Sequence, residues 1–136
     1  MRRINHSTSA RSTISSFTDR TSENKIFHRD WEVQLLAAAV GFQKSQCFNL
    51  NDKTGSAIEF STFNSSGLWP GFINCMALVE EGNPDILTSD SSNVERRISL
   101  FEKYAEAGFT ILESEGVSEM SLVGFADFII KFSDQE

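Results

Sequence analysis

Apolar residues Val94, Ile98, Phe101, Ala105 and Ile111–Leu112 recur across positions 92–112 at spacings of three and four. That spacing is the mark of a helix with one buried face. Glu95, Arg96, Glu102, Lys103 and Glu106 occupy the opposite face. Ser92 with Glu95 three residues later makes a capping box, so the helix is expected to begin there. Gly108 lowers helix propensity by about 1 kcal/mol relative to Ala. A glycine at that point predicts either a close helix contact or a local bend. A helix this one-sided has to find partners, and the rest of the chain supplies them.

Trp31, Leu35, Ala38–Ala39 and Phe42 form one stripe, with Asp30 as N-cap or first-turn acid and Gly41 where the helix would end. The small residues Ala37–Ala39 let a neighbouring helix approach closely. Trp69, Phe72–Ile73, Met76–Ala77 and Val79 predict a helix from about Leu68 to Glu81, stopped by Gly82. Asn83-Pro84 then restarts a short turn, with Asn83 as cap and Pro84 at the first helical position. A further helix is expected from about Ser118 to Phe132, with Leu122, Phe125, Phe128–Ile129 and Phe132 on one side. Ile58 and Phe60 alternate with Glu59 and Ser61. This reads either as one short β-hairpin near residues 46–63 or as a loop pinned by its aromatic side chains. The expected class is therefore mainly α: a compact bundle or orthogonal array of about four helices, with no internal repeat.

The chain has 136 residues, enough for one domain with a single core, and twelve of them are Phe, so that core should be rich in aromatic rings. No apolar run approaches the roughly 20 residues of a membrane span, and no apolar h-region follows the basic start, so a cytoplasmic protein is expected. Cys47 and Cys75 match no zinc spacing and read as buried free thiols.

Charge is uneven. Residues 1–30 net +3 and the remainder −10, for a total of −7. Residues 1–25 hold ten Ser and Thr side chains among few apolar ones, which predicts a flexible basic arm preceding a single helical domain at 26–136. Ile14 and Phe17, a helical turn apart, could dock as a short anchor. The acidic body repels a phosphate backbone. Nucleic-acid contact, if any, falls to the arm residues Arg2, Arg3, Arg11 and Arg20 and to Arg96–Arg97.

Chemistry-bearing motifs are thin. His28-Arg29-Asp30 resembles the kinase catalytic tripeptide but lacks a glycine-rich loop, an Asp-Phe-Gly and the downstream Asn. His28 reads as a surface or capping residue. No His-x-x-x-His, Gly-x-Ser-x-Gly or phosphate-cradling loop is present. Glu80–Glu81 and Glu113–Glu115 look like solvated helix ends. No catalytic residue, cofactor or metal is expected.

Read in order, Phe27-x-x-Asp30, Leu36-Ala37-Ala38-Ala39-x-Gly41-Phe42, Phe72-Ile73-x-x-Met76-Ala77-Leu78 and Phe101-Glu102-Lys103-Tyr104-Ala105-x-x-Gly108-Phe109 make a series. The chain in this series resembles the DNA phosphorothioation-associated protein 4 family. The last block is the most specific, because amphipathicity alone does not force it. Glu106 and Ala107 depart from the family's Asn and Gly. The resemblance implies an accessory protein of bacterial systems that place sulfur in the DNA backbone and restrict unmodified DNA in antiphage defence. It carries over no catalytic residue.

Three readings follow. The first is a non-enzymatic adaptor that docks on a larger subunit of a modification or restriction complex, with Glu102, Lys103, Tyr104 and Glu106 as the positions a partner would read. The second is a DNA-binding accessory using the basic arm, and the third a small effector enzyme. For the shared block itself, core packing of Phe101, Tyr104, Ala105 and Phe109 is the simplest expectation.

Overall fold

The computed structural model describes residues 3–19, 27–50, 52–53, 57–64, 67, 69–117, 120 and 122–133. Its elements are α1 (Thr8–Thr18), α2 (Asp30–Gln43), α3 (Phe60–Asn64), α4 (Trp69–Glu81), a 3₁₀ turn (Pro84–Leu87), α5 (Ser91–Ser114) and α6 (Leu122–Ser133). The mainly helical class stands.

The centre of the fold is the pairing of α2 with α5. Two glycines make it possible. A Cβ on Gly108 would lie 1.6 Å from the Ala37 carbonyl oxygen, and one on Gly41 would lie 2.1 Å from that of Tyr104. The two backbones touch where each helix carries no side chain, so Gly108 marks a close contact. Around this crossing Val33, Ala37, Ala38, Ile98, Phe101, Ala105 and Leu112 are buried. Phe101 meets Phe63, Trp69 and Phe72 edge-on, with ring centroids 5.5, 5.7 and 6.4 Å away.

Helix boundaries follow local chemistry. Asp30 and Glu32 sit in the first turn of α2, and the Glu32 carboxylate accepts the backbone N–H groups of His28 (3.2 Å) and Arg29 (3.0 Å). Asn83 caps the 3₁₀ turn, its side chain accepting the Asp85 N–H at 3.0 Å, with Pro84 following as expected. The N-cap of α5 is Asp90 rather than Ser92, and its side chain makes no capping bond. The predicted starts at Leu68 and Ser118 lie outside the described residues.

Three expectations are corrected. The hairpin at 46–63 does not form among the described residues. Its only β element is one antiparallel bridge between Ile4 and Ile58, while Phe60–Asn64 is helical. A helical turn places Phe60 and Phe63 together against Trp69, at 5.0 and 5.4 Å, which strand alternation would not do. Cys47 and Cys75 are free, as expected, but both are exposed.

The third correction concerns the arm. Of the expected arm at 1–25, residues 4–18 are packed on the core, with Ile4, Ala10, Ile14 and Phe17 buried, and residues 1–2 and 20–25 lie outside the described residues. Ser7 caps α1 by accepting the Ala10 N–H at 3.1 Å. Inside α1 the hydroxyls of Thr13, Ser16 and Thr18 bond to carbonyls four residues back. Helix α6 closes over this segment, with Phe125 edge-on to Phe17 (6.3 Å) and Phe27 (5.8 Å). The predicted anchor pair Ile14 and Phe17 therefore docks, and it brings the whole helix with it. No helix among the described residues is long and apolar enough to cross a membrane.

Candidate partner-binding surface

The period of α5 divides its residues into three directions. Phe101, Ala105 and Gly108 point at α2 and the aromatic core. Glu102 and Glu106 face the N-terminal segment. Glu95, Arg96, Ser99 and Lys103 form the outward ridge.

This division separates the four positions expected to meet a partner. Glu102 is 5 % exposed and its Oε2 accepts the Asn5 backbone N–H at 2.5 Å. Glu106 accepts the Ser7 hydroxyl at 2.8 Å. Tyr104 is 4 % exposed and donates its hydroxyl to Glu80 Oε2 at 2.5 Å. Burial, then the hydrogen bond and charge of Glu80, raise the phenol well above its ordinary range. Lys103 alone of the four reaches the outward ridge. The structure brings the four onto one helix, but only Glu102 and Lys103 onto one cleft.

The arginines proposed for nucleic-acid contact have internal partners. Arg3 pairs with Glu59 at 2.6 Å and Arg11 with Asp30 at 2.8 Å. Arg96 pairs with Glu81. Arg97 donates to the carbonyls of Ile86 (2.5 Å) and Thr88 (2.9 Å), bracing the 3₁₀ turn against α5. Arg2 and Arg20 lie outside the described residues.

Two depressions flank the outward ridge. The larger, about 570 Å³, lies toward α4 and is lined by Glu80, Glu81, Ser92, Glu95, Arg96, Ser99, Leu100 and Lys103. The smaller, about 230 Å³, is walled by Asn49, Leu50 and Lys53 opposite Glu95, Ser99, Glu102 and Lys103. Glu95, Ser99 and Lys103 border both. Phe48, whose N–H bonds to the Lys103 carbonyl at 3.0 Å, is 43 % exposed. Apolar groups bordered by charges of both signs are what a protein interface requires.

Sequence reasoning missed four participants: Glu80, Asp52, Gln34 and His6. Only Gln34 carried a signal, as an amide inside the apolar run of α2. It is fully buried, and its Nε2 donates to the Asn5 carbonyl at 3.0 Å. His6 is buried beside it in the N-terminal segment. Burial first and the Arg11 charge second hold its pKa down at about 4, against a smaller upward pull from Asp30. Glu106 shifts the other way, raised chiefly by burial and opposed by the Ser7 hydroxyl.

These shifts act oppositely on stability. Between pH 6.5 and 4 the unfolded chain binds a proton at His6 that the folded chain refuses, so His6 makes stability fall as pH falls. Glu106 makes it rise over its own window. Comparing the wild type with His6→Gln isolates the histidine. On going from pH 7.5 to 5, the wild type is expected to lose about 2 kcal/mol more than the variant, read by urea denaturation at each pH. Parallel pH profiles for the two would refute this.

A family model described as DNA sulphur modification system-associated protein 4 matches residues 3–123, from the N-terminal segment to the start of α6. No curated protein and no solved structure gives a significant match.

Proposed function

We propose, for a chain that belongs to the family of DNA sulphur modification system-associated protein 4, that it serves as a non-enzymatic docking subunit. On this reading it binds a larger protein of a DNA sulphur modification and restriction system in antiphage defence. The observation that carries this is the outward ridge of α5, with clefts on both sides and exposed Phe48 beside it. Two further features support docking over chemistry. His6 and Tyr104, both strongly shifted, are packed inside and line neither cleft. Direct DNA contact is disfavoured because Arg3, Arg11, Arg96 and Arg97 are held by internal acceptors within a net acidic chain.

The test is capture of partners from the native host by the tagged protein, with and without nuclease. A modification or restriction subunit should be retained through nuclease treatment. Ser99→Arg combined with Lys103→Glu adds bulk at the border of both clefts and inverts the charge at position 103, and should weaken retention at least about tenfold. Recovery of nucleic acid alone, or undiminished capture by the double variant, would overturn the reading.

A further inference from the structure

The smaller cleft has a wall that does not hold itself. Residues 46–50 and 52–53 form no helix or strand. They are tied down at three points: Gln46 N–H to the Gly41 carbonyl (2.9 Å), Phe48 N–H to the Lys103 carbonyl (3.0 Å), and Asp52. The partner of Asp52 comes from the other end of the chain. Its Oδ1 accepts both the N–H (2.7 Å) and the hydroxyl (2.9 Å) of Thr8.

The same N-terminal segment grips the opposite wall. Asn5 donates its N–H to Glu102, which lines the cleft, and Ser7 donates its hydroxyl to Glu106 one turn further along α5. Behind these contacts Gln34 holds the Asn5 carbonyl, Ile4 exchanges two backbone bonds with Ile58 (2.8 and 3.0 Å), and Ile4 and His6 are buried. Residues 3–7 thus run as an extended segment into Thr8 at the start of α1, and together residues 3–8 form a strap that reaches both the 46–53 wall and the α5 wall.

We propose that this strap sets the shape of the cleft and thereby controls docking of the protein partner, so that detaching residues 3–8 from Asp52 loosens the wall and weakens binding. The inference rests on the docking function proposed above. Asp52 does not line the cleft and is exposed, so Asp52→Ala cuts the tether while leaving the docking residues and the core in place.

Hydrogen exchange of single amides in the full chain, followed by NMR, tests the strap without any partner. Asp52→Ala should speed exchange at the Phe48 amide at least about tenfold while the buried α4 amides of Met76 and Ala77 keep their rates. A second variant, Ser7→Ala with Thr8→Val, should do the same from the strap side. Unchanged Phe48 exchange in both would overturn the inference, because the wall would then stand without the strap. Capture from the host should fall several-fold with Asp52→Ala. Undiminished capture alongside a loosened Phe48 would also overturn it, by uncoupling wall from docking. A wild type that captures no protein refutes the docking function instead, and the exchange rates still decide whether the strap shapes the wall.

Discussion

Gly108→Ala is expected to destabilise the protein by about 4 kcal/mol or more, a large share of the roughly 5–15 kcal/mol typical of a domain. The added Cβ would lie 1.6 Å from the Ala37 carbonyl oxygen and 2.4 Å from its carbon. Both obstacles are backbone, so no rotamer change relieves them. The helices must separate, and the aromatic side chains packed around the crossing lose contact with each other. The gain in helix propensity from Gly to Ala, about 1 kcal/mol, does not offset this. Gly71→Ala is the control. It lies in α4 with nothing within 4 Å of the added Cβ, and should be neutral or slightly stabilising. Denaturation midpoints of the two variants separate the contact from the propensity. Equal midpoints would mean that α2 and α5 do not cross here.

Phe17→Ala is expected to cost about 3–4 kcal/mol. The ring is fully buried, with Phe27 at 5.6 Å and Phe125 at 6.3 Å, both edge-on. Truncation leaves a cavity between α1 and α6 that neither helix can fill without sliding. A mobile arm predicts no change at all, so one urea titration distinguishes a flexible tail from a structural helix. A loss of less than about 1 kcal/mol would restore the tail.

The helices α2, α4 and α5 were legible because their apolar spacing is carried by large side chains or, in α2, by an unbroken small-residue run. Gly108 inside a strong helical pattern left two readings, a close contact or a bend, and the structure shows the contact. The N-terminal helix was not legible for a definable cause. Its apolar stripe is only Ala10, Ile14 and Phe17, and composition is dominated by hydroxyls. Those hydroxyls do not oppose the helix when they return their bonds to carbonyls one turn back, as Thr13, Ser16 and Thr18 do. The candidate surface was half legible. Lys103, half-buried, borders both clefts. Glu102 and Glu106 were placed on the solvent face because the segment that covers them is about a hundred residues away in sequence, and helical periodicity contains no information about such a contact. The alternation at Ile58–Ser61 failed because four residues fit a helical turn as easily as a strand.

The chain contains one tyrosine, and its hydroxyl is bonded to a carboxylate that lines the larger cleft. Any molecule that seats in that cleft and draws Glu80 away changes the electronic surroundings of a single phenol. The protein therefore carries its own optical reporter. Ultraviolet difference absorbance of Tyr104 would register occupancy directly in unlabelled material, and Tyr104→Phe, which replaces no residue lining the cleft, would silence the signal.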